Sequence, residues 1–438
     1  MSGAHKAGAF DSHHPPAPDL INQCVHCGFC LPACPTYALW GEEMDSPRGR
    51  IYLIKMASEG ATAMTENWVR HFDTCLGCMS CMTACPSGVD YGKLIEATRA
   101  QIERQHPRPL AERLHRGMIF ALFPRIGRLR LLRGVLSIYQ RSHVQALVRA
   151  SKILKLFPAR LQAMETLAPK VVPKEQIPAI TPALGTKRKR VGIMLGCVQR
   201  EFLSPVNAAT VRVLAAEGCE VVAPTEQGCC GALMVHAGEE EPALKLARRM
   251  IDTFEKENVE TIITNAGGCG SNVKDYGHLL RDDNAYGERA RRFSEKCKDI
   301  SEFLQELGPA RATRHPVRLR VAFHDSCHLQ HAQGVRTQPR ALLSAIPELE
   351  LLEIPESALC CGSAGIYNLV QPKTADELAD RKAGHIAPLK PDVVATGNPG
   401  CQLQIGAALD RQGQAVPVVH TIQIVDASIR GVRPDWGA

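Results

Sequence analysis

Short apolar runs recur through the C-terminal half of the chain, and they recur in the same order twice. Residues 190–197 (RVGIMLGC), 220–224 (EVVAP) and 261–271 (TIITNAGGCGS) carry β-branched and aliphatic residues at strand length. Residues 318–327 (RLRVAFHDSC), 349–355 (LELLEIP) and 392–402 (DVVATGNPGCQ) repeat the series. Helix-like segments separate the runs, so each half predicts parallel strands joined by βαβ crossovers, right-handed by the usual rule. Residues 275–316 are additional to the repeat on this reading and predict extra helix and loop.

The N-terminal part has helical periodicity instead. In SPRGRIYLIKMASEG (46–60), Ser46 is placed to cap, Pro47 to open and Gly60 to stop a helix with Ile51, Leu53, Ile54 and Met56 on its apolar face. A second helix is expected over YGKLIEATRAQIER, residues 91–104. Leu, Ile and Val then recur at helical spacing between residues 104 and 160, a stretch with thirteen Arg and Lys and one acidic residue, Glu112. This predicts a connector of solvated amphipathic helices. A docking face for an acidic partner or an anionic membrane surface is the sharper alternative. Residues 168–189, rich in Pro and Lys, predict a linker, and residues 1–20 a mobile polar leader.

The expected class is therefore α+β and multidomain. After the leader come a helical domain over 21–105, a basic connector and linker over 106–189, one α/β repeat with its insertion over 190–316 and a second over 317–438. With 438 residues and 45% hydrophobic content, the chain can bury sizeable cores. Aromatics at 5% argue against a stacking surface for single-stranded nucleic acid, and a net charge of +7 names no partner. The leader lacks the apolar core of a secretory signal and no run of apolar residues reaches membrane-spanning length, so a reducing cytoplasm is expected.

The eighteen cysteines change this picture most. The spacing C-x2-C-x2-C-x3-C-P occurs at CVHCGFCLPACP (24–35) and again at CLGCMSCMTACP (75–86). Structural zinc takes four tetrahedral ligands, usually as two CxxC or CxxH pairs, and would waste ligands in so dense a loop. A zinc-stabilised interaction scaffold remains the competing reading. The pattern resembles that of bacterial two-cluster ferredoxins, in which the fourth cysteine of each run ligates the other cluster. That resemblance assigns Cys24, Cys27, Cys30 and Cys85 to one 4Fe-4S cluster and Cys34, Cys75, Cys78 and Cys81 to a second. Such a pair passes single electrons and needs no catalytic acid or base.

The repeats carry cysteines in matching register: Cys197, Cys229, Cys230 and Cys269 in the first, Cys327, Cys360, Cys361 and Cys401 in the second. Gly231 and Gly362 follow the vicinal pairs and can turn the backbone so that four thiols converge after strand ends. Each set can hold a further iron–sulfur cluster or a structural, redox-labile thiol pair. Cys219 and Cys297 fall outside the pattern and are expected to be ordinary buried cysteines. In HDSCHLQH (324–331), the histidines are expected to be satisfied interior residues, with donation to cluster sulfur as the alternative.

A lone Cys, then Cys-Cys-Gly, then a further Cys resembles the CCG domain of heterodisulfide reductase subunits and 2-hydroxy-acid dehydrogenase complexes. In those reductases the last element is CxxC, whereas Ala266 and Asn398 stand at that position here. Two ferredoxin motifs followed by two CCG repeats resemble the iron–sulfur subunits of glycolate oxidase. Those of D-lactate and anaerobic glycerol-3-phosphate dehydrogenases share the order. No dinucleotide fingerprint is present, and a flavin is what divides an electron pair between one-electron carriers. The resemblance thus implies an oxidoreductase subunit without catalytic residues of its own. FAD would sit on partner glycolate oxidase subunits that oxidise glycolate to glyoxylate, and electrons would leave toward a quinone or other acceptor. The complex would be cytoplasmic, with a peripheral contact at the inner membrane as an option.

Overall fold

The computed structural model describes residues 9–151, 153–434 and 436. No strand precedes residue 180 among the described residues. The N-terminal domain is a packed set of helices, the longest being Pro47–Ser58 and Tyr91–Gln105. Ser46 caps the first as expected, its Oγ accepting from the Gly49 amide at 3.1 Å. Asp90 caps the second through the Lys93 amide at 3.3 Å. Ile54, Phe72, Leu94, Ile95 and Ile102 form a dry core beneath the two cysteine loops.

The C-terminal half contains two sheets. Strands β1 (Ile180–Thr181), β2 (Lys189–Ile193), β3 (Cys219–Val222), β4 (Thr261–Thr264) and β5 (Cys297–Asp299) form one, in the order β1-β3-β2-β4-β5. Strands β6 (Leu319–His324), β7 (Leu349–Glu353), β8 (Val393–Thr396) and β9 (Val418–His420) form the other, in the order β7-β6-β8-β9. All pairs are parallel except β1 with β3. The non-sequential order follows from helical crossovers, which bury both faces and explain why strands such as β8 are buried throughout. One apolar core, with Val191, Leu214, Val321, Ile422 and Val425, joins the two sheets' domains.

Three expectations need correction. Residues 1–8 of the leader lie outside the described residues, but from residue 9 the leader is docked rather than mobile. The Ala9 amide donates to the Ala57 carbonyl at 2.9 Å, Phe10 packs on Trp68, and Arg104 pairs with Asp11 at 2.9 Å. Polar composition concealed this because its partners lie far along the chain. The segment 275–316 is not wholly an insertion, since β5 occupies the sheet position that β9 fills in the second repeat. The 168–189 linker contributes β1, an antiparallel edge strand too short to read from periodicity.

Gly362 shows how tightly the fold holds a cysteine turn. Its φ is 89°, and a Cβ there would stand 2.4 Å from the Ala375 carbonyl oxygen. Gly362→Ala should destabilise the protein by about 1–3 kcal/mol or more, strain and clash acting together. The check is a lowered thermal midpoint, with the Gly413→Ala change, which has open space around it, as the control for φ alone.

Candidate metal centres

The two N-terminal loops are built alike. His26 and Gly28 in the first, and Gly77 and Met79 in the second, take positive φ at matching positions after Cys24 and Cys75. These left-handed residues coil the chain tightly, so that cysteines three residues apart face one point and backbone N–H groups turn inward. The Gly77 amide already donates to Cys75 Sγ at 3.4 Å.

One cavity is lined by Cys24, Cys27, Cys30 and Cys85 together, with Cys81, Ile51 and Tyr91 behind them. Burial raises the Cys24 and Cys30 thiols, and neighbouring thiolates add to this: Cys85 and Cys27 act on Cys24. Cys34 is carried by its own loop to the other group. Burial pushes Cys78 up to about 12, with Cys34 and Cys75 as like-charged neighbours. Cys81 is raised further by burial and by Cys78, Cys75 and Cys34. Thus each loop's last cysteine stands with the other loop's set, and Cys81 and Cys30 lie between the groups.

Burial and like-charged neighbours make such thiols poor thiolates on their own. A cation replaces the proton directly, so crowded, desolvated thiols fit a metal-bearing group and are inert without one. One cysteine is already prepared. Burial opposes the Cys75 thiolate, but the charges of Arg50 and Arg99 offset this and bring it below the ordinary thiol value. Arg50, 1% exposed, donates to the His71 carbonyl at 2.5 Å, to Asp45 at 3.2 Å and to Thr36 at 3.2 Å, with Nη1 4.0 Å from Cys34 Sγ. Tyr91 Oη lies 3.6 Å from Cys75 Sγ.

In each repeat the four cysteines form a row. Cys197 contacts Cys229, Cys229 contacts Cys230, and Cys230 contacts Cys269. Cys327 Sγ lies 4.0 Å from Cys360 Sγ, and Cys361 follows beside Cys401. Gly231 and Gly362 adopt φ of 85° and 89°, the turn the vicinal pairs require. All of these cysteines are buried except Cys269, which is half-buried. Cys219 is buried on β3 in the core between the sheets, and Cys297 on β5 in the apolar cluster that also holds Cys230 and Cys269.

The surroundings of the two rows differ. Cys327 and Cys360 pack in one buried cluster with Leu76 and Cys78 of the second N-terminal loop. Cys197 and Cys229 instead pack against Leu129, from the connector helix Ile126–Arg141. The same edge of the repeat therefore meets a cysteine loop in one case and an aliphatic plug in the other.

Two histidines of HDSCHLQH, His328 and His331, are satisfied as expected, though half-buried and bonded to other segments. His331 joins the second loop, with ring nitrogens 2.9 Å from Ser80 Oγ and 2.7 Å from Thr83 Oγ1. His328 lies 2.9 Å from the Gly77 carbonyl and 2.8 Å from Ser271 Oγ, and its ring meets that of His236. Together they fasten the loop of Cys75–Cys81 to both repeats. Sequence reasoning passed over these contacts, and over Arg50, because each residue's partners come from distant segments; only the basic residue inside an apolar helix face hinted at Arg50.

Arg50→Met should leave Asp45 without its buried cation, with the His71 ring and the Thr74 hydroxyl remaining at 2.9 Å, at about 3–5 kcal/mol. Urea unfolding under anaerobic conditions checks this, and the Asp45→Asn/Arg50→Met double variant should recover part of the loss.

Comparison with known proteins gives these geometries a context. The 4Fe-4S dicluster domain family matches residues 20–89, and the cysteine-rich CCG domain family matches residues 191–274 and 321–406. The linker region of the glycolate oxidase iron–sulfur subunit matches residues 111–168, the basic connector. The probable glycolate oxidase iron–sulfur subunit of Bacillus subtilis is 39% identical, across 93% of this chain and 93% of its own. The Escherichia coli glycolate oxidase iron–sulfur subunit is 37% identical, across 94% and 95%. Lactate utilization protein A of Bacillus licheniformis is 29% identical over 54% of this chain and 99% of its own. With all three segments matched in order and nearly the whole length shared, the chain belongs to the glycolate oxidase iron–sulfur subunit family, an electron-transfer subunit carrying iron–sulfur clusters.

Proposed function

We propose that this chain carries electrons from an FAD-bearing partner that oxidises glycolate to glyoxylate toward a quinone or similar acceptor. Cys24, Cys27, Cys30 and Cys85 would hold one 4Fe-4S cluster, and Cys34, Cys75, Cys78 and Cys81 the second. The repeats' cysteine rows, Cys197 with Cys229, Cys230 and Cys269, and Cys327 with Cys360, Cys361 and Cys401, would hold further clusters. Bound clusters supply one-electron transfer, which splits the pair that a flavin collects.

The observation that carries this reading is the unbroken series of sulfur groups from surface to interior. Cys27 is the exposed cysteine of the chain, at the rim of the first cavity. Beside it Val25 and Phe29 are 66% and 67% exposed, an apolar rim suited to a docking protein. The series continues through Cys30 and Cys81 to the second group, and through Cys78 to Cys327 and Cys360. Arg50 and Arg99 support negative charge along the way.

The connector bears on partners too. One side of it is used internally, through Ile119 and Leu129. The other exposes Leu131, Val135 and Ile138, with Arg128 on the same side, while Arg130 and Arg133 turn inward to Glu201 and the Val172 carbonyl. This exposed apolar stripe, with Arg128 beside it, favours a peripheral contact with an anionic membrane or acidic subunit over simple solvation. No helix among the described residues is long and apolar enough to cross a membrane.

The test is to purify the native complex anaerobically, identify its other subunits and bound flavin, and add glycolate, D-lactate or glycerol 3-phosphate separately. Rapid bleaching of the visible cluster absorbance by glycolate, with a co-purified FAD subunit, is the expected result. Bleaching by D-lactate alone would move the assignment to a lactate complex, and absence of any flavoprotein would overturn it. Within the same preparation, Cys85→Ala should disturb the cluster of Cys24–Cys30 while leaving that of Cys75–Cys81.

A further inference from the structure

We propose that Arg99 is an unneutralised cation that raises the reduction potential of the second N-terminal centre, and that the matching guanidinium of the first loop, Arg48, is cancelled by its own counter-ion. This rests on the reading that Cys34, Cys75, Cys78 and Cys81 hold a 4Fe-4S cluster.

Each N-terminal cysteine loop has one guanidinium laid against its left-handed turn. In the first loop, Arg48 Nη1 donates to the His26 carbonyl at 3.0 Å, and a Cβ on Gly28 would stand 2.8 Å from the same nitrogen. In the second loop, Arg99 Nη2 donates to the Cys75 carbonyl, and a Cβ on Gly77 would stand 3.4 Å from Arg99 Nη1. His26 and Gly77 hold the same place, two residues after the leading cysteine. The loops therefore serve as controls for each other.

The two guanidinium groups differ in what neutralises them. Arg48 is paired with Glu43, through Nε at 2.7 Å and Nη2 at 3.2 Å. Arg99 takes carbonyls alone: Phe72 at 3.1 Å, Cys75, and His236 of the first repeat at 2.7 Å. It forms no ion pair among the described residues. The carboxylates of its own helix, Glu96 and Glu103, are bound to His236 and Arg116 at 2.8 Å each. Arg50, whose Nη1 is 4.0 Å from Cys34 Sγ, has Asp45 at 3.2 Å. Carbonyl oxygens solvate a cation without cancelling its charge, so Arg99 alone of the three keeps its full unit.

The fold fixes that charge in place. Gly238 of the first repeat, at φ 85°, lies so close to the helix that a Cβ there would stand 2.4 Å from the Arg99 carbonyl oxygen. The turn over residues 236–238 thus clamps the helix backbone while its His236 carbonyl holds the guanidinium. Reduction adds one electron and one negative charge to a cluster. A fixed cation in a site shielded from water stabilises that form more than the oxidised one, so the equilibrium moves toward reduction. The Arg48–Glu43 pair carries no net charge and stands in water, which weakens its field further. Cys75, Cys78 and Cys81 are buried whereas Cys27 is exposed. The centre farther from the surface is therefore the one given a charge that draws an electron inward.

The test uses the full chain purified anaerobically and titrated with dithionite at controlled potential, the reduced clusters being followed by electron paramagnetic resonance. The signal of the second N-terminal cluster is the one that persists in Cys85→Ala and is absent from Cys78→Ala. In Arg99→Gln, with iron and sulfide contents unchanged, its reduction equilibrium should fall at least about tenfold, which is about 59 mV for one electron. Arg99→Lys keeps the charge and loses the forked contact, and it should fall by less than that. Arg48→Met/Glu43→Gln removes both charges of the first pair and should leave the first cluster within the same tenfold; a greater fall there would overturn the contrast between the loops. No fall in Arg99→Gln, or equal falls in Arg99→Gln and Arg99→Lys, would overturn the role of Arg99 and leave the cluster reading standing. If Arg99→Gln loses the cluster, Arg99→Lys decides: an equilibrium within tenfold of wild type supports the proposal, and a larger fall or loss of the cluster reduces Arg99 to a structural clamp. If Cys78→Ala removes neither signal nor iron, there is no second cluster and both readings fail together.

Discussion

The structure depends on bringing sulfur atoms together where water cannot reach them. A buried thiol resists ionisation, and a second thiolate beside it makes ionisation harder still. The chain nevertheless builds four such groups, each with cysteines from separate segments, at the expense of left-handed backbone at Gly77, Met79, Gly231 and Gly362. A strongly positive centre favours the thiolate form of that arrangement, because it takes the place of the protons and binds the sulfurs to each other. Much of the N-terminal domain is organised around that need: Arg50 lies buried beside Cys34 and Cys75, and Arg99 reaches the Phe72 carbonyl at 3.1 Å.

Duplication gave the C-terminal half two similar cysteine rows, and packing has made them unequal. Leu129 closes one against the connector, while Leu76 and Cys78 meet the other. His328 and His331 hold that second contact from two sides, so the N-terminal domain cannot shift on the second repeat without breaking these hydrogen bonds. The leader adds a tie of its own, with His14 Nδ1 2.9 Å from Glu240 of the first repeat. The result is a single body in which the sulfur groups keep fixed separations, a condition for transfer by rigid carriers.

Much of this was legible in the sequence because it is local. Cysteine spacing, the Ser46 cap and the repeated β-branched runs all depend on neighbours within one element, and the strands and helices form where those patterns predict. Glycine after each vicinal pair is legible for the same reason, since that position takes positive φ in both repeats. What stayed hidden is contact between distant segments. A polar leader looks mobile until Phe10 finds Trp68. A histidine-rich octapeptide looks uniform until one ring faces cysteine sulfur and two others grip the Cys75–Cys81 loop. The short strands β1 and β5 have no periodicity of their own and exist only as edges of a sheet set elsewhere.

The most direct test is chemical. Protein purified without oxygen should contain about eight irons and eight acid-labile sulfides per chain, or more if the repeats are loaded. It should also give a paramagnetic signal of reduced clusters after dithionite. Stoichiometric zinc, no hydrogen sulfide on acidification and a silent spectrum would contradict the account at its base.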